Sequence, residues 1–356
     1  MPASQPPAGN EKRKRGEMMT ASPASKPPTL ADIPSLANGI LCDLLAPAPP
    51  ADLEAEILSR HRAGFSFVSF TMATDYEASP AQIYPGLAKM RYNIGRYSDD
   101  IMLVDGVDDI RAAKASGKIG VGFHFQGTEP VGRDLANIGA YYQLGVRWML
   151  MAYNFQNNVG TGCIEAQKND IGLSAFGRDV VAEMNHVGMI VDCSHSGYRT
   201  TMDAMAASTQ PCIFSHSNPR VLFDHPRNIR DDQIKACAET GGFIGINGVG
   251  QFIGEPHQVT VETVVRNIDY VVQLVGPEHV AFGLDYMTPA HCQQLFDFYD
   301  GKVSKKIGMP ELPWGFLSPT AVPELLEQLI AKGYSEDALR GLMGENFLRV
   351  ATAVWK

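Results

Sequence analysis

The sequence of 356 residues lacks several features that identify common protein classes. No apolar run approaches the roughly 18 residues of a membrane span, and no apolar core of a secretory signal stands near its start. The six cysteines form no CxxC pair and no zinc-finger spacing, a pattern typical of a reducing compartment. No GxGxxG or P-loop motif follows an apolar run, so the usual nucleotide sites are not predicted. We therefore expect a cytoplasmic protein with no membrane partner.

Basic residues are also in the minority. The chain has 30 Lys and Arg against 39 Asp and Glu, a formal net charge of −9. An acidic body repels phosphate, so we do not expect nucleic acid as the main partner. Residues 1–30 differ in composition from the rest of the chain, because they are rich in proline and carry the basic run 12–15. They predict a disordered tail, and residues 31–356 predict one domain.

Short apolar runs alternate with helical patterns beyond this tail. Eight runs are typical of buried strands: 37–43, 65–71, 119–126, 146–152, 188–194, 211–216, 242–247 and 279–285. Apolar stripes predict helices at 174–186, 260–275, 319–332 and 336–354. Eight strands, each followed by a helix, predict an α/β fold, the (β/α)8 TIM-type barrel. An open doubly wound sheet is the alternative.

Reactive side chains stand at or just after the ends of several predicted strands, in chain order His124, Gln126, Tyr153, Asn154, His195, His216 and Asp285. The carboxyl ends of barrel strands open on one mouth, so His195, His216 and Asp285 are predicted to converge there. Two imidazoles and a carboxylate are a common ligand set for Zn²⁺ or a similar divalent ion. His124 shares a strand face with Gln126, and is either a replacement ligand or a packed histidine.

One long motif identifies a family. The segment 172–195 reads GlyLeuSerAlaPheGlyArgAspValValAlaGluMetAsnHisValGlyMetIleValAspCysSerHis, and IlePheSerHisSerAsn follows at 213–218. HisProArgAsn at 225–228, AspAspGlnIle at 231–234 and GlyPheIleGlyIleAsn at 242–247 continue in the same order. From about residue 36 to 354, the chain resembles the renal (membrane) dipeptidase family of the amidohydrolase superfamily.

The resemblance implies a (β/α)8 barrel whose two zinc ions, bridged by a glutamate and a hydroxide, cleave a dipeptide. It matches His195 and His216 to the two histidines of one metal. Asp285 matches the aspartate that positions or deprotonates the water. Arg227 matches the arginine that receives the substrate's carboxylate.

The departures from the family pattern predict fewer metal ions. Ile40 and Cys42 stand where the family has a histidine and an aspartate, and Gln126 replaces the bridging glutamate. A shift by one residue would offer Asp43, but strand alternation points it to the other face. Tyr153 replaces a histidine on the substrate side. Two divalent cations about 3.5–4 Å apart need anionic bridges, so a two-metal site is not predicted.

We predict one divalent ion, Zn²⁺ by preference, and a metal-dependent hydrolase that cleaves an amide or other C–N bond. Its substrate would be a dipeptide or a small N-substituted amino acid bearing a carboxylate. The predicted ligands are His195, His216, Asp285 and Gln126, with His124 and Cys42 as weaker candidates.

The remaining roles fall to four side chains. Asp285 is the predicted general base, and Tyr153 polarises the carbonyl. Arg227, Asn154 and Tyr153 are predicted to bind substrate. A single-metal lyase or decarboxylase and a non-catalytic small-carboxylate-binding protein are the alternatives. The resemblance to a family that often dimerises leaves a homodimer open.

Overall fold

The structure is a computed structural model that describes residues 29–47, 52–76, 79–97, 99–298 and 311–356. Most of the predicted tail, residues 1–30, lies outside the described residues, so its disorder stays a prediction. None of the described helices is long and apolar enough to cross a membrane.

Nine short strands form the centre of the described chain. They are β1 (Cys42–Ala46), β2 (Phe67–Thr74), β3 (Ile101–Leu103), β4 (Ile119–Gln126), β5 (Val146–Leu150), β6 (Ile190–Asp192), β7 (Cys212–Ile213), β8 (Ile244–Ile246) and β9 (Val280–Phe282). The order β1-β2-β4-β5-β6-β7 is parallel throughout, with β3 beside the first half of β4 and β8 beside β9. A bridge from Phe214 to Ile244 joins β7 to β8, and Asp285 N donates to Leu45 O at 3.0 Å beside β1. The sheet therefore curls round into the predicted TIM-type barrel.

Helices follow most of the strands and cover the outside of the sheet. They are α1 (Leu53–Arg62), α2 (Pro80–Ile94), α3 (Val107–Ala115), α4 (Ala136–Gln143), α5 (Ala175–Val187), α6 (Tyr198–Ala207), α7 (Asp231–Glu239), α8 (Val261–Val275), α9 (Pro289–Phe298), α10 (Val322–Ala331), α11 (Glu336–Arg340) and α12 (Asn346–Val354). A π-helical turn, Gly341–Glu345, joins α11 to α12.

Local sequence explains α5 well. Its N-cap Ser174 accepts a hydrogen bond from Gly177 N, and Gly188 ends the helix at φ 92°. Val180 and Met184 are fully buried, so the apolar stripe faces the sheet.

Several elements differ from the sequence prediction. The predicted helix 336–354 is divided by the π-helical turn, and two strands also differ. The first strand, predicted at 37–43, begins only at Cys42, because Leu36 and Gly39 form a turn in which Gly39 N donates to Leu36 O at 2.7 Å. The short β3 was not predicted, since three residues are too few to show a period.

Aromatic rings close the barrel at the amino ends of its strands. Phe67, Trp148 and Phe243 share this buried cluster with Phe347 of α12. The ring centroids of Phe67 and Phe347 lie 5.6 Å apart, and those of Trp148 and Phe347 lie 5.7 Å apart. Buried apolar side chains fill this end of the barrel, so we look for the polar side chains of a site at the carboxyl ends of the strands.

Candidate active site

Three residues beyond the carboxyl ends of strands hold a strained backbone. Asn154 after β5, His195 after β6 and Asp285 after β9 have φ of 65°, 60° and 55°. Within the described ranges they are the only residues other than glycine with positive φ. Such conformations cost about 1–3 kcal/mol each and cluster at functional sites. The strain marks this mouth as the candidate active site.

His195 and His216, the histidine pair, meet at its centre. Their Nε2 atoms lie 2.9 Å apart, and both side chains are buried. His195 Nδ1 donates to Asn154 Oδ1 at 2.7 Å, which leaves its Nε2 as an acceptor. His216 Nδ1 lies 2.8 Å from Ser215 Oγ. Such a partner on the second ring nitrogen is what orients a metal-binding histidine.

Burial keeps the histidine pair neutral. It lowers the pKa of both imidazoles well below the usual value, and the positive charge of Arg227 adds to the effect. Neutral imidazole is the form that binds a metal ion.

Two further oxygen donors were predicted beside the pair. Gln126 Nε2 donates to Thr71 Oγ1 at 2.8 Å, while its Oε1 is buried without a hydrogen-bond partner. Asp285 accepts a hydrogen bond from Asn247 Nδ2 at 3.4 Å. Burial raises the pKa of Asp285 to about 7, against the lowering effect of Arg227. An orphaned acceptor such as Gln126 Oε1 is costly to bury, and a cation would satisfy it.

Within the described residues, Asp285 does not join the histidine pair as a third metal-binding side chain, contrary to the prediction. Across the part of the chain that the structure describes, no three His, Cys, Asp or Glu side chains come together as a metal-binding group. A bridged pair of ions would require carboxylates that this arrangement does not supply.

The structure does not bring the two weaker ligand candidates to the histidine pair. His124 lies inside the barrel, where Ser69 Oγ is 2.8 Å from its Nδ1 and Thr71 Oγ1 is 2.9 Å from its Nε2. Its ring stacks on Trp148, and burial lowers its pKa to about 3. Cys42 lies at the closed end of the barrel, paired in register with Phe67.

Asp43 faces away from the barrel interior, as strand alternation predicts. Its carboxylate pairs with Arg60 Nε of α1 at 3.1 Å and accepts a hydrogen bond from Leu284 N at 3.0 Å. Both charged side chains are buried. Asp43 therefore joins β1, α1 and β9.

Tyr153 and Asn154 lie against His195. The ring centroid of Tyr153 is 4.3 Å from that of His195. Asn154 is 1% exposed, and its side-chain oxygen is bonded to His195 Nδ1. Asn154 is thus placed to orient His195, and its predicted role in substrate binding stays a prediction.

Sequence reasoning missed Asp75 at the end of β2. Its Oδ2 accepts hydrogen bonds from Tyr153 N at 2.7 Å and Asn157 Nδ2 at 2.9 Å, and its Oδ1 accepts one from Glu129 N at 2.9 Å. Burial raises the pKa of Asp75 to about 6. The available signal was an acidic residue just after a strand, but the predicted strand stopped at residue 71.

Arg227 is a buried cation whose place suits a carboxylate. It is 3% exposed, and its Nη2 donates to His216 O at 2.7 Å. Its Nε is buried without a partner, and among the described ion pairs none involves Arg227. Arg227 and His195 both line a cavity of about 500 Å³. Its Nη1 donates to Ser217 Oγ at 3.4 Å, so the unpartnered Nε–H is the donor left for a charge-assisted hydrogen bond to a carboxylate.

Comparison with known proteins matches the chain to a family. The family model of membrane dipeptidase (peptidase family M19) matches residues 54–302. An uncharacterized dipeptidase of Schizosaccharomyces pombe is 34% identical over 73% of this chain and 58% of its own length. A second one is 34% identical over 61% of this chain and 47% of its own length. The chain thus spans about half the length of these curated relatives.

Solved structures extend the similarity to most of the chain. An amidohydrolase from Pseudomonas aeruginosa is 31% identical with a TM-score of 0.81, covering 92% of this chain and 99% of that one. A metallo peptidase from Rhodobacter sphaeroides, liganded with a phosphinate mimic of the dipeptide L-Ala-D-Ala, shares the fold with a TM-score of 0.72 at 20% identity, over 89% of this chain and 100% of that one. From the family match over residues 54–302, the chain belongs to the membrane dipeptidase family, peptidase family M19.

Proposed function

We propose that this protein is a metal-dependent hydrolase that cleaves the amide bond of a dipeptide or a small N-substituted amino acid. The observation that carries the proposal is the convergence of His195 and His216 Nε2, 2.9 Å apart, in a site that also holds Arg227. Membership in a dipeptidase family supports it. The buried, unpaired Arg227 supports a carboxylate on the substrate.

The site residues have two kinds of role, binding and proton transfer. His195 and His216 would hold one divalent ion, Zn²⁺ by preference, with Gln126 Oε1 as a further ligand. When bound, such an ion supplies Lewis acidity and lowers the pKa of a water molecule. Arg227 binds the substrate's carboxylate and so fixes the position of the amide.

Two side chains act on the amide itself. Asp285 Oδ2 takes the proton of the attacking water and passes it to the leaving amine, a role suited to a carboxyl whose pKa lies near 7. The Tyr153 hydroxyl donates to the carbonyl oxygen as negative charge develops there.

Elemental analysis of the purified protein tests the metal site. We expect about one ion per chain in the wild type, and its loss in the double variant His195→Ala/His216→Ala. The matched control is His186→Ala, since His186 lies exposed on α5 and should leave the metal content unchanged. Two ions per chain would contradict the single-ion site. No ion after supplementation with zinc, together with no dipeptide hydrolysis, would contradict the hydrolase.

A second candidate is a non-catalytic protein that binds a small carboxylate. It is favoured by the direct contact of the histidine pair, because a proton on His216 Nε2 would make that contact an ordinary hydrogen bond. Calorimetric titration with a dipeptide, before and after chelator treatment, separates the two. Unchanged binding without hydrolysis would support the binding protein.

A further inference from the structure

The cavity that Arg227 and His195 line carries an excess of positive charge. Among its described lining residues are four arginines, Arg199, Arg220, Arg227 and Arg230, against one carboxylate, that of Asp170. We call this space the arginine cavity. One arginine is enough for one substrate carboxylate, so three remain to be explained.

The arginines lie at two depths. Arg227 is buried beside His195, whereas Arg220 is half-buried and Arg199 and Arg230 are exposed. The inner guanidinium therefore lies at the candidate active site, and the outer ones form the rim.

The outer arginines are only weakly held by acidic partners. Arg220 Nε pairs with Asp224 Oδ1 at 2.7 Å, but the Asp224 side chain is 81% exposed. Exposed ion pairs contribute little, about 0–1 kcal/mol, so a ligand can replace this partner. Arg230 lies over the ring of Tyr198 at 4.7 Å, and the described ion pairs give it no carboxylate partner.

The one carboxylate among the lining residues accepts hydrogen bonds from backbone N–H groups. Asp170 Oδ2 accepts a hydrogen bond from Arg199 N at 2.7 Å at the start of α6, and its Oδ1 accepts one from Gly172 N at 3.2 Å. The nearby Asp232 accepts the Tyr198 hydroxyl at 2.7 Å. Neither carboxylate accepts a side-chain hydrogen bond from an arginine of the cavity among the described residues. Positive charge therefore remains in excess.

We infer that the arginine cavity binds a ligand with two anionic groups, one on Arg227 and the other on the outer arginines Arg199, Arg220 and Arg230. The inference rests on the proposed function and narrows its substrate class. The residue that carries the terminal carboxylate also carries a second anionic group, a carboxylate or a phosphate. Charge-assisted hydrogen bonds to guanidinium groups recognise both.

The test uses dipeptide analogues whose scissile amide is reduced to CH₂–NH, so that binding is measured without turnover. Calorimetry compares alanyl-glutamate with the size-matched alanyl-glutamine, each with the second residue in the L and the D configuration. A second comparison, of alanyl-phosphoserine with alanyl-serine, asks whether phosphate is preferred to carboxylate. We expect the more anionic member of a pair to bind about tenfold or more tightly, which is about 1.4 kcal/mol.

Variants show whether the outer arginines cause the preference for the more anionic ligand. In Arg220→Gln/Arg230→Gln the ratio of the two affinities should fall to about threefold or less, while the affinity for alanyl-glutamine stays within about twofold. Arg62→Gln is the matched control, since Arg62 is exposed on α1 and does not line the cavity. Thermal unfolding checks that every variant is folded.

Equal binding of both members of each pair by the wild type would overturn the inference. A preference that survives in the double variant would also overturn it. Hydrolysis of unreduced alanyl-glutamate and alanyl-glutamine by the wild type is measured separately. A preference for the second anion without hydrolysis would leave the arginine cavity standing and refute the hydrolase, and hydrolysis without the preference would do the reverse.

Discussion

Asn154 combines a strained backbone with a bond that orients a histidine. Its φ is 65°, and its Oδ1 accepts a hydrogen bond from His195 Nδ1 at 2.7 Å. Replacement by glycine removes the acceptor and relieves the strain at once. We expect Asn154→Gly to lower the affinity for zinc about 10–100-fold, because the His195 ring loses its orienting partner.

Competition with a chromogenic chelator measures this affinity. The control is Asn158→Gly, in the same loop, where Asn158 is exposed and does not contact the histidine pair. An unchanged zinc affinity in Asn154→Gly would show that His195 needs no such partner.

Replacement of Arg227 is expected to weaken ligand binding without lowering the stability of the fold. It is a buried charge without a carboxylate partner, so folding gains little from it. Arg227→Gln should weaken the binding of a carboxylate-bearing dipeptide by about 2–5 kcal/mol, roughly thirtyfold or more in Kd. The free energy of unfolding, from urea titration, should not fall.

Arg227→Lys provides the comparison, since it keeps the charge but loses the paired donors. A large loss of stability in Arg227→Gln with unchanged ligand affinity would make Arg227 a structural residue.

At the scale of residues, the sequence predicted which side chains meet but not which partners hold them. His195 and His216 were predicted from their places at strand ends, and their rings are in contact. Asp75 was not predicted, because two of its three partners are backbone N–H groups, which have no signature in the sequence. The bond between Asn154 and His195 was not predicted, because it depends on a left-handed turn that only the folded chain shows. The chemical roles of these residues stay predictions.

At the scale of elements, Asp75 joins three loops at the mouth of the barrel. It follows β2 and binds backbone N–H groups in the loops after β4 and β5. Its folded pKa, about 6, lies above the ordinary value of 3.8 because the carboxyl is buried. Ionisation is therefore harder in the folded state than in the unfolded chain. The contribution of Asp75 to the free energy of unfolding therefore falls as pH rises from about 4 to 6, and it is constant at higher pH.

Urea unfolding between pH 4.5 and 7.5 measures this dependence. We expect the stability of the wild type relative to Asp75→Asn to decline over that range by about 2 kcal/mol. The difference between the two proteins isolates Asp75 from Asp285, which titrates in the same range in both. Parallel pH profiles would show that Asp75 is not the titrating group.

Elements were predicted best where local sequence alone determines them. The predicted strand 119–126 coincides with β4, and α5 begins and ends within one residue of its prediction because it has a serine N-cap and a glycine end. The start of β1 was wrong by five residues, because a turn that packs against the chain near Met343 replaces its first half. Such a contact joins distant parts of the chain and leaves no periodic pattern.

At the scale of the whole molecule, the closed end of the barrel depends on α12. Phe347 is fully buried and contacts the rings of Phe67, Trp148 and Trp355. Phe347→Ala should lower the free energy of unfolding by about 3–5 kcal/mol, since it leaves a cavity among rings that cannot collapse. Urea titration measures the loss, and Tyr92→Ala, at a side chain 63% exposed, should have little effect.

The zinc content of Phe347→Ala should stay at the wild-type value while the protein is folded. A variant that loses its metal together with its stability would show that the two ends of the barrel are coupled.

The aromatic packing at one end of the barrel and the polar mouth at the other also have a consequence for how this protein can change over generations. Substitutions at the mouth, such as glutamine at position 126, fall on side chains that do not belong to the buried aromatic cluster. They can alter the donor set or the charge of the cavity while the packing around Phe347 preserves the fold. A barrel built in this way can acquire a new substrate preference by point mutation. In a selection for a new activity, we expect the first beneficial substitutions at the mouth residues.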